Sequence, residues 1–101
     1  PMPDLVMFDN TFDNLERAMN VSTKVQAVIA HNIANANTPG YVAMDFDEVL
    51  GMAVKRADKK GVVIEEEMAS LAENSVKYSA YVKLISSKLT TLRTIATQGR
   101  K

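Results

Sequence analysis

Residues 64–98 read IEEEMASLAENSVKYSAYVKLISSKLTTLRTIATQ, without a proline or a glycine. Steps of four and three residues from Ile64 land on Met68, Leu71, Ser75, Tyr78, Val82, Ile85, Leu89, Leu92 and Ala96, of which only Ser75 is polar. A 3.5-residue period held this long predicts one helix with a coiled-coil seam rather than a broad globular face. At 1.5 Å per residue it would be roughly 50 Å long. Its charges follow the helix dipole, with Glu65, Glu66, Glu67 and Glu73 early and Lys88 and Arg93 late. Gly99 is placed as its stop.

The rhythm recurs upstream. Phe8, Phe12, Leu15, Met19, Ser22, Gln26, Ile29, Ile33 and Ala36 form a second seam, broken only at Ser22 and Gln26. Asp9 or Asn10 is placed to cap this helix. Val21, Val25 and Val28 make a further apolar row beside the seam, more than one partner helix would cover.

Between the helices, His31-Asn32-Ile33-Ala34-Asn35-Ala36-Asn37-Thr38-Pro39-Gly40-Tyr41 forms a corner. Pro39 pushes Thr38 out of helical conformation, and Pro-Gly favours a type II turn with glycine at positive φ. The asparagines can bond the free carbonyls of the ending helix. Asp45 and Glu48 resemble a capping box before Val49, Leu50, Met52 and Val54, which predicts a short middle helix. Lys55–Gly61 reads as a flexible linker. The expected fold is all-α: a single domain with an N-terminal helix over 8–36, the corner, short helix and linker over 37–63, and a C-terminal helix over 64–98.

The 101 residues carry twelve bases and twelve acids, but the two halves differ in sign. Residues 1–50 hold seven acids and two bases; residues 51–101 hold ten bases and five acids. Antiparallel pairing sets Asp9, Asp13 and Glu16 near Lys88, Arg93 and the basic tail, and Lys24 toward Glu73. Parallel pairing sets acid beside acid. Charge therefore selects an antiparallel hairpin. Ordering so much helix for two narrow seams leaves a lone chain marginal, so an obligate assembly component is expected.

Composition excludes much else. No cysteine exists for a disulfide, thiolate metal site or nucleophile, and one histidine cannot make an imidazole pair. His31 reads as a helix C-terminal residue, and the acid clusters as caps and solvated faces. The glycines form no phosphate-binding pattern. Zero net charge and 6% aromatics argue against nucleic acid, and the Lys55, Arg56, Lys59 and Lys60 cluster reads as a solvated loop. No apolar run is long enough for direct membrane insertion, and the first residues do not read as a cleavable signal. No enzyme, cofactor or metal is expected.

The corner also carries a resemblance. Ile29 to Tyr41 resembles the segment shared by bacterial flagellar rod and hook axial proteins, in which a helix ends in Asn-Asn-Ile-Ala-Asn-x-Asn-Thr-Pro-Gly-Tyr. Phe8–Ala18 and Ile64–Asn74, with Tyr78, Leu84–Leu89 and Leu92–Thr94, are similar to the proximal rod members. His31 departs from a common asparagine, and Gly51–Gly61 is shorter than the usual middle region. The resemblance implies a structural subunit of the proximal rod, assembling helically as drive shaft and export channel. It implies export by the flagellar type III apparatus without a cleaved signal, and a place in the periplasmic rod of the basal body. Implied partners are its own copies, other rod subunits, the membrane-supramembrane ring and a rod-base adaptor. By motif, Asn32, Asn35, Asn37, Thr38, Pro39, Gly40 and Tyr41 form a subunit-contact corner. Phe12, Leu15, Met19, Ile29, Ile33, Met68, Leu71, Tyr78, Val82, Ile85, Leu89 and Leu92 form the tube seam. From another class, a cytoplasmic helical-hairpin adaptor or export chaperone would show a stable, unsecreted oligomer.

Overall fold

A computed structural model describes residues 10–99. Phe8, Asp9, Arg100 and Lys101, invoked in the seam, cap, charge and family readings, lie outside them. The order is helix α1 (Asn10–Ala34), strand β1 (Met44–Asp47), strand β2 (Met52–Lys55) and helix α2 (Ile64–Gln98). The body is elongated, 67 × 23 × 15 Å. Going up α1 from Ser22 to Asn32, the bonded partners on α2 go down from Asn74 to Glu67, so the helices run antiparallel. Gly99 ends α2 in a right-handed conformation (φ −68°) with its N–H on the Ile95 carbonyl.

The two long helices fit the expected hairpin, but the fold is not all-α. Where a short middle helix was expected, β1 and β2 form an antiparallel hairpin in the register Met44↔Lys55, Asp45↔Val54, Phe46↔Ala53 and Asp47↔Met52. The Asp45–Glu48 capping box does not form. Asp47 Oδ1 accepts the N–H groups of Val49 (2.9 Å) and Leu50 (3.0 Å), and the Gly51 N–H closes on the Asp47 carbonyl at 2.7 Å. Gly51 has φ +68°, which turns the chain back instead of continuing a helix. A short helix interrupted by glycine would gain little, whereas Met44-Asp45-Phe46-Asp47 alternates with the period of a strand.

The strand also answers the extra valine row. β1 packs along α1. Val25, Val28 and Ile29 share a cleft with Met44 and Phe46, and further along Ala18 and Val21 share one with Glu48 and Tyr81. The hairpin thus covers one side of the helix pair.

The stretch read as a linker is tied down too. Lys55 ends β2, the Arg56 N–H bonds the Ala43 carbonyl (2.8 Å), and the Ala43 N–H bonds the Lys60 carbonyl (3.1 Å).

Antiparallel packing is not carried by charge pairs. Among the described residues no ion pair joins α1 to α2, and Glu73 lies 3.5 Å from Lys77 on its own helix. The helices are joined instead by uncharged bonds at mid-length. Asn74 Nδ2 donates to the Ser22 carbonyl (2.8 Å) and Gln26 Oε1 (3.0 Å), and Ser22 Oγ donates to Asn74 Oδ1 (3.1 Å). Ile29 and Ala43 are the buried apolar side chains among the described residues, while eleven large apolar residues are exposed.

Candidate functional site

The corner begins with the end of α1. Asn35 closes it from both backbone and side chain: its N–H and Nδ2 reach the His31 carbonyl at 3.1 and 2.9 Å. Its Oδ1 accepts the Thr38 hydroxyl at 3.1 Å. The Tyr41 N–H returns to the Thr38 carbonyl (3.1 Å) across Pro39 and Gly40, with Gly40 at φ +76°. A Cβ on Gly40 would meet nothing, so the position requires a backbone angle rather than space. This turn carries Tyr41 back over α1, edge-on to the His31 ring at 5.5 Å.

Beneath it lies Asn32, wholly buried and bonded through every polar atom. Its Oδ1 accepts the Tyr41 hydroxyl (2.7 Å) and the Met44 N–H (2.9 Å). Its Nδ2 donates to the Met44 carbonyl (2.9 Å) and Glu67 Oε1 (2.8 Å). The Met44 N–H can only donate and a carboxylate can only accept, so the amide has one workable orientation. Asn32 satisfies both backbone groups of Met44 as a neighbouring strand would, and so docks β1 on α1.

Glu67 is 2% exposed, one turn into α2. Its second oxygen accepts Arg56 Nη2 at 3.3 Å, and that same nitrogen reaches the Met44 carbonyl at 3.3 Å. Arg56 Nε donates to Asp45 at 2.9 Å. Burial opposes the Arg56 charge, but the bonds and charges of Asp45 and Glu67 outweigh it and raise its pKa. Burial and then the Glu67 charge push the Tyr41 phenol up, so Tyr41 stays a donor to Asn32. Tyr41, Asn32, Glu67, Arg56 and Asp45 therefore form one connected network joining the corner, β1, the residue that follows β2, and α2. No buried side-chain polar atom among the described residues lacks a partner. Its chemistry is positional: it holds elements together and presents no free nucleophile or base.

Of the corner residues singled out in the sequence, Asn32 and Tyr41 join this network. Asn35 and Thr38 build the helix end, and Asn37, Pro39 and Gly40 are exposed on the outer side. In the seam, Ile29 is buried, and Phe12, Leu15, Met19, Ile33, Leu71, Ile85 and Leu92 are half-buried. Met68, Tyr78, Val82 and Leu89 are exposed. The more covered side of α2 follows Glu67, Leu71, Asn74, Tyr81, Ile85, Lys88, Leu92 and Ile95. It shares Leu71, Ile85 and Leu92 with the apolar heptad and elsewhere sits one residue earlier. Sequence reasoning missed Glu67, Arg56 and Asp45 as network members and Asn74 as the mid-length lock. A signal for the lock was present, since the polar breaks Ser22 and Gln26 in α1 answer Asn74 beside the break at Ser75.

A family model described as "Flagella basal body rod protein" matches residues 12–41, which take in most of α1 and the whole corner. The chain is 27% identical over 127 aligned positions to the flagellar basal body rod protein FlgB of Bacillus subtilis (strain 168), covering 93% of this chain and 98% of that protein. It is 27% identical over 132 positions to the FlgB of Proteus mirabilis (strain HI4320), covering 90% and 96% respectively. Both alignments are longer than the 101-residue chain, so each relative carries a length of sequence without counterpart here. A further FlgB of Proteus mirabilis is 47% identical over 38 residues. The chain is thus similar, over nearly the full length of two relatives and through the corner segment, to flagellar basal body rod proteins.

Proposed function

We propose that the chain works as a load-bearing subunit of the proximal rod, stacked helically with its own copies and other rod subunits around an export channel. The family is one of structural proteins, not enzymes, and its members belong to the flagellar basal body. The observation that carries the finer reading is the distribution of apolar surface. A body of 67 × 23 × 15 Å with two buried apolar residues and eleven large exposed ones among the described residues is suited to completing its core with neighbours. The polar network gives such a subunit a defined shape before neighbours arrive. The exposed Asn37-Thr38-Pro39-Gly40 edge is then the contact of the corner with the adjacent subunit. Partners at the rod base, among them the membrane-supramembrane ring and an adaptor, belong to this proposal, as does passage through the flagellar type III apparatus without a cleaved signal. Deleting the gene tests it: filaments should be absent while early export-apparatus proteins still assemble. Normal swimming in the deletion strain, with no duplicate gene, would overturn it.

A further inference from the structure

Two apolar surfaces remain unpartnered, and they differ in shape and charge. The first is the hairpin tip, where Val49 is 95% and Leu50 62% exposed on a turn held by three hydrogen bonds to Asp47. It is a small, fixed apolar knob. The second is the flank of α2 along Met68, Val82 and Leu89, whose heptad spacing runs through Ser75. It borders an open cleft of about 350 Å³ between the helices, lined by Ser22, Gln26, Ser75 and Tyr78. The hairpin covers other residues of the pair and leaves this cleft open.

Charge indicates which surfaces meet. Glu48 and Asp47 flank the tip without ion pairs, Asp45 being held by Arg56. From Asn74 to Gln98, α2 carries Lys77, Lys83, Lys88 and Arg93 and no acid. Two α2 flanks facing each other would set positive against positive, and an acidic tip is repelled by anionic lipid. An acidic apolar knob and a basic apolar groove attract. We infer that the Val49–Leu50 tip of one copy docks on the Tyr78–Leu89 flank of α2 of a second copy, with Glu48 beside Lys83. This rests on the rod-subunit reading and adds the contact that would make it polymerise. Because the two surfaces differ, the contact is head-to-tail and propagates instead of closing as a two-fold dimer.

The lack of cysteine allows a direct test. Full-length chains carrying Leu50→Cys and Val82→Cys are mixed and oxidised. The mixed disulfide should exceed either self-disulfide severalfold, since a bridge needs close Cα approach. Glu48→Lys should cut that yield, and Lys83→Glu on the partner chain should restore it. Leu50→Asp, with helix content checked by circular dichroism, should weaken self-association about tenfold or more. Predominant Val82→Cys self-disulfides would overturn the proposal in favour of a symmetric pair. Binding to phosphatidylglycerol vesicles that Leu50→Asp abolishes would overturn it in favour of lipid. The same pair is oxidised in a deletion strain carrying the two variants. Swimming restored by the unsubstituted chain without a mixed disulfide overturns this contact and leaves the rod reading standing. Failure of that chain to restore swimming counts against the rod reading itself.

Discussion

At the corner end of the molecule, Asn32 and Glu67 are buried and Arg56 partly covered, all bonded to two or more partners. Beyond Tyr78, α2 exposes Val82, Leu84 and Leu89 and has no such lock. One region defines its own shape through directional bonds; the other offers apolar surface that a neighbour can cover. The contrast explains how a chain with so small an apolar core can have a specific form. Buried polar networks add stability only when complete, and here completeness does the work that apolar volume does in larger domains.

The largest effect should follow from breaking the corner. Asn32→Ala leaves the Met44 backbone groups, Glu67 and Tyr41 each short of a bond, at a cost of about 3 kcal/mol or more. Denaturant titration measures this, and hydrogen exchange at the Met44 amide should rise if the hairpin undocks. Unchanged protection would mean that the valine row alone holds β1. Arg56→Ala strips Glu67 of its cation at about 2 kcal/mol, with Arg56→Lys intermediate because a lysine cannot serve Asp45, Met44 and Glu67 together. At mid-length, Asn74→Ala should cost about 1–2 kcal/mol. Adding Ser22→Ala to Asn74→Ala should cost little more, since the Ser22 hydroxyl has already lost its Asn74 acceptor.

The Tyr41 phenol supplies a pH test. Its pKa is raised in the fold above the ordinary 10.0. The folded state therefore holds the proton more tightly, so its contribution is intact below pH 10 and lost as pH rises through the folded value. Tyr41→Phe should remove that alkaline fall and cost about 1 kcal/mol at neutral pH. The smallest folding effect belongs to the far flank. Val82→Ser and Leu89→Ser should each change monomer stability by less than about 0.5 kcal/mol, because these side chains are already exposed. The same changes should impair motility, measured on soft agar. A large loss of monomer stability would show that the flank serves the chain's own core.

How far these regions can be read from residues alone differs for physical reasons. Helix periodicity and the Thr38-Pro39-Gly40-Tyr41 turn are local, and Gly40 at φ +76° follows from Pro-Gly chemistry. The hairpin was not legible because an aspartate opening a helix and one opening a tight turn act alike, each taking up the next N–H groups. Asp45, read as the cap, pairs with Arg56, and Asp47 two residues on opens the turn. Glu65, Glu66 and Glu67 are chemically the same in the sequence, and only rotation about the helix axis sets the third against Asn32. Arg56 looked like one cation among four, yet its place just past the end of β2 sets it between the carboxylates of Asp45 and Glu67.

The residues alone therefore dictate what depends on neighbours a few positions away: two long helices and the turn between them. They also carry the likeness to rod proteins at residues 12–41, because those residues occupy a contiguous local segment. Packing over distance decided the rest, including the strand pair over Val21, Val25 and Val28, the choice of Glu67, and the one-residue offset between the covered side of α2 and its apolar heptad. That offset has a plain cause. Burial of a side chain depends on which element faces it, and α1 met α2 through asparagine, serine and glutamate bonds, leaving Met68, Val82 and Leu89 outward.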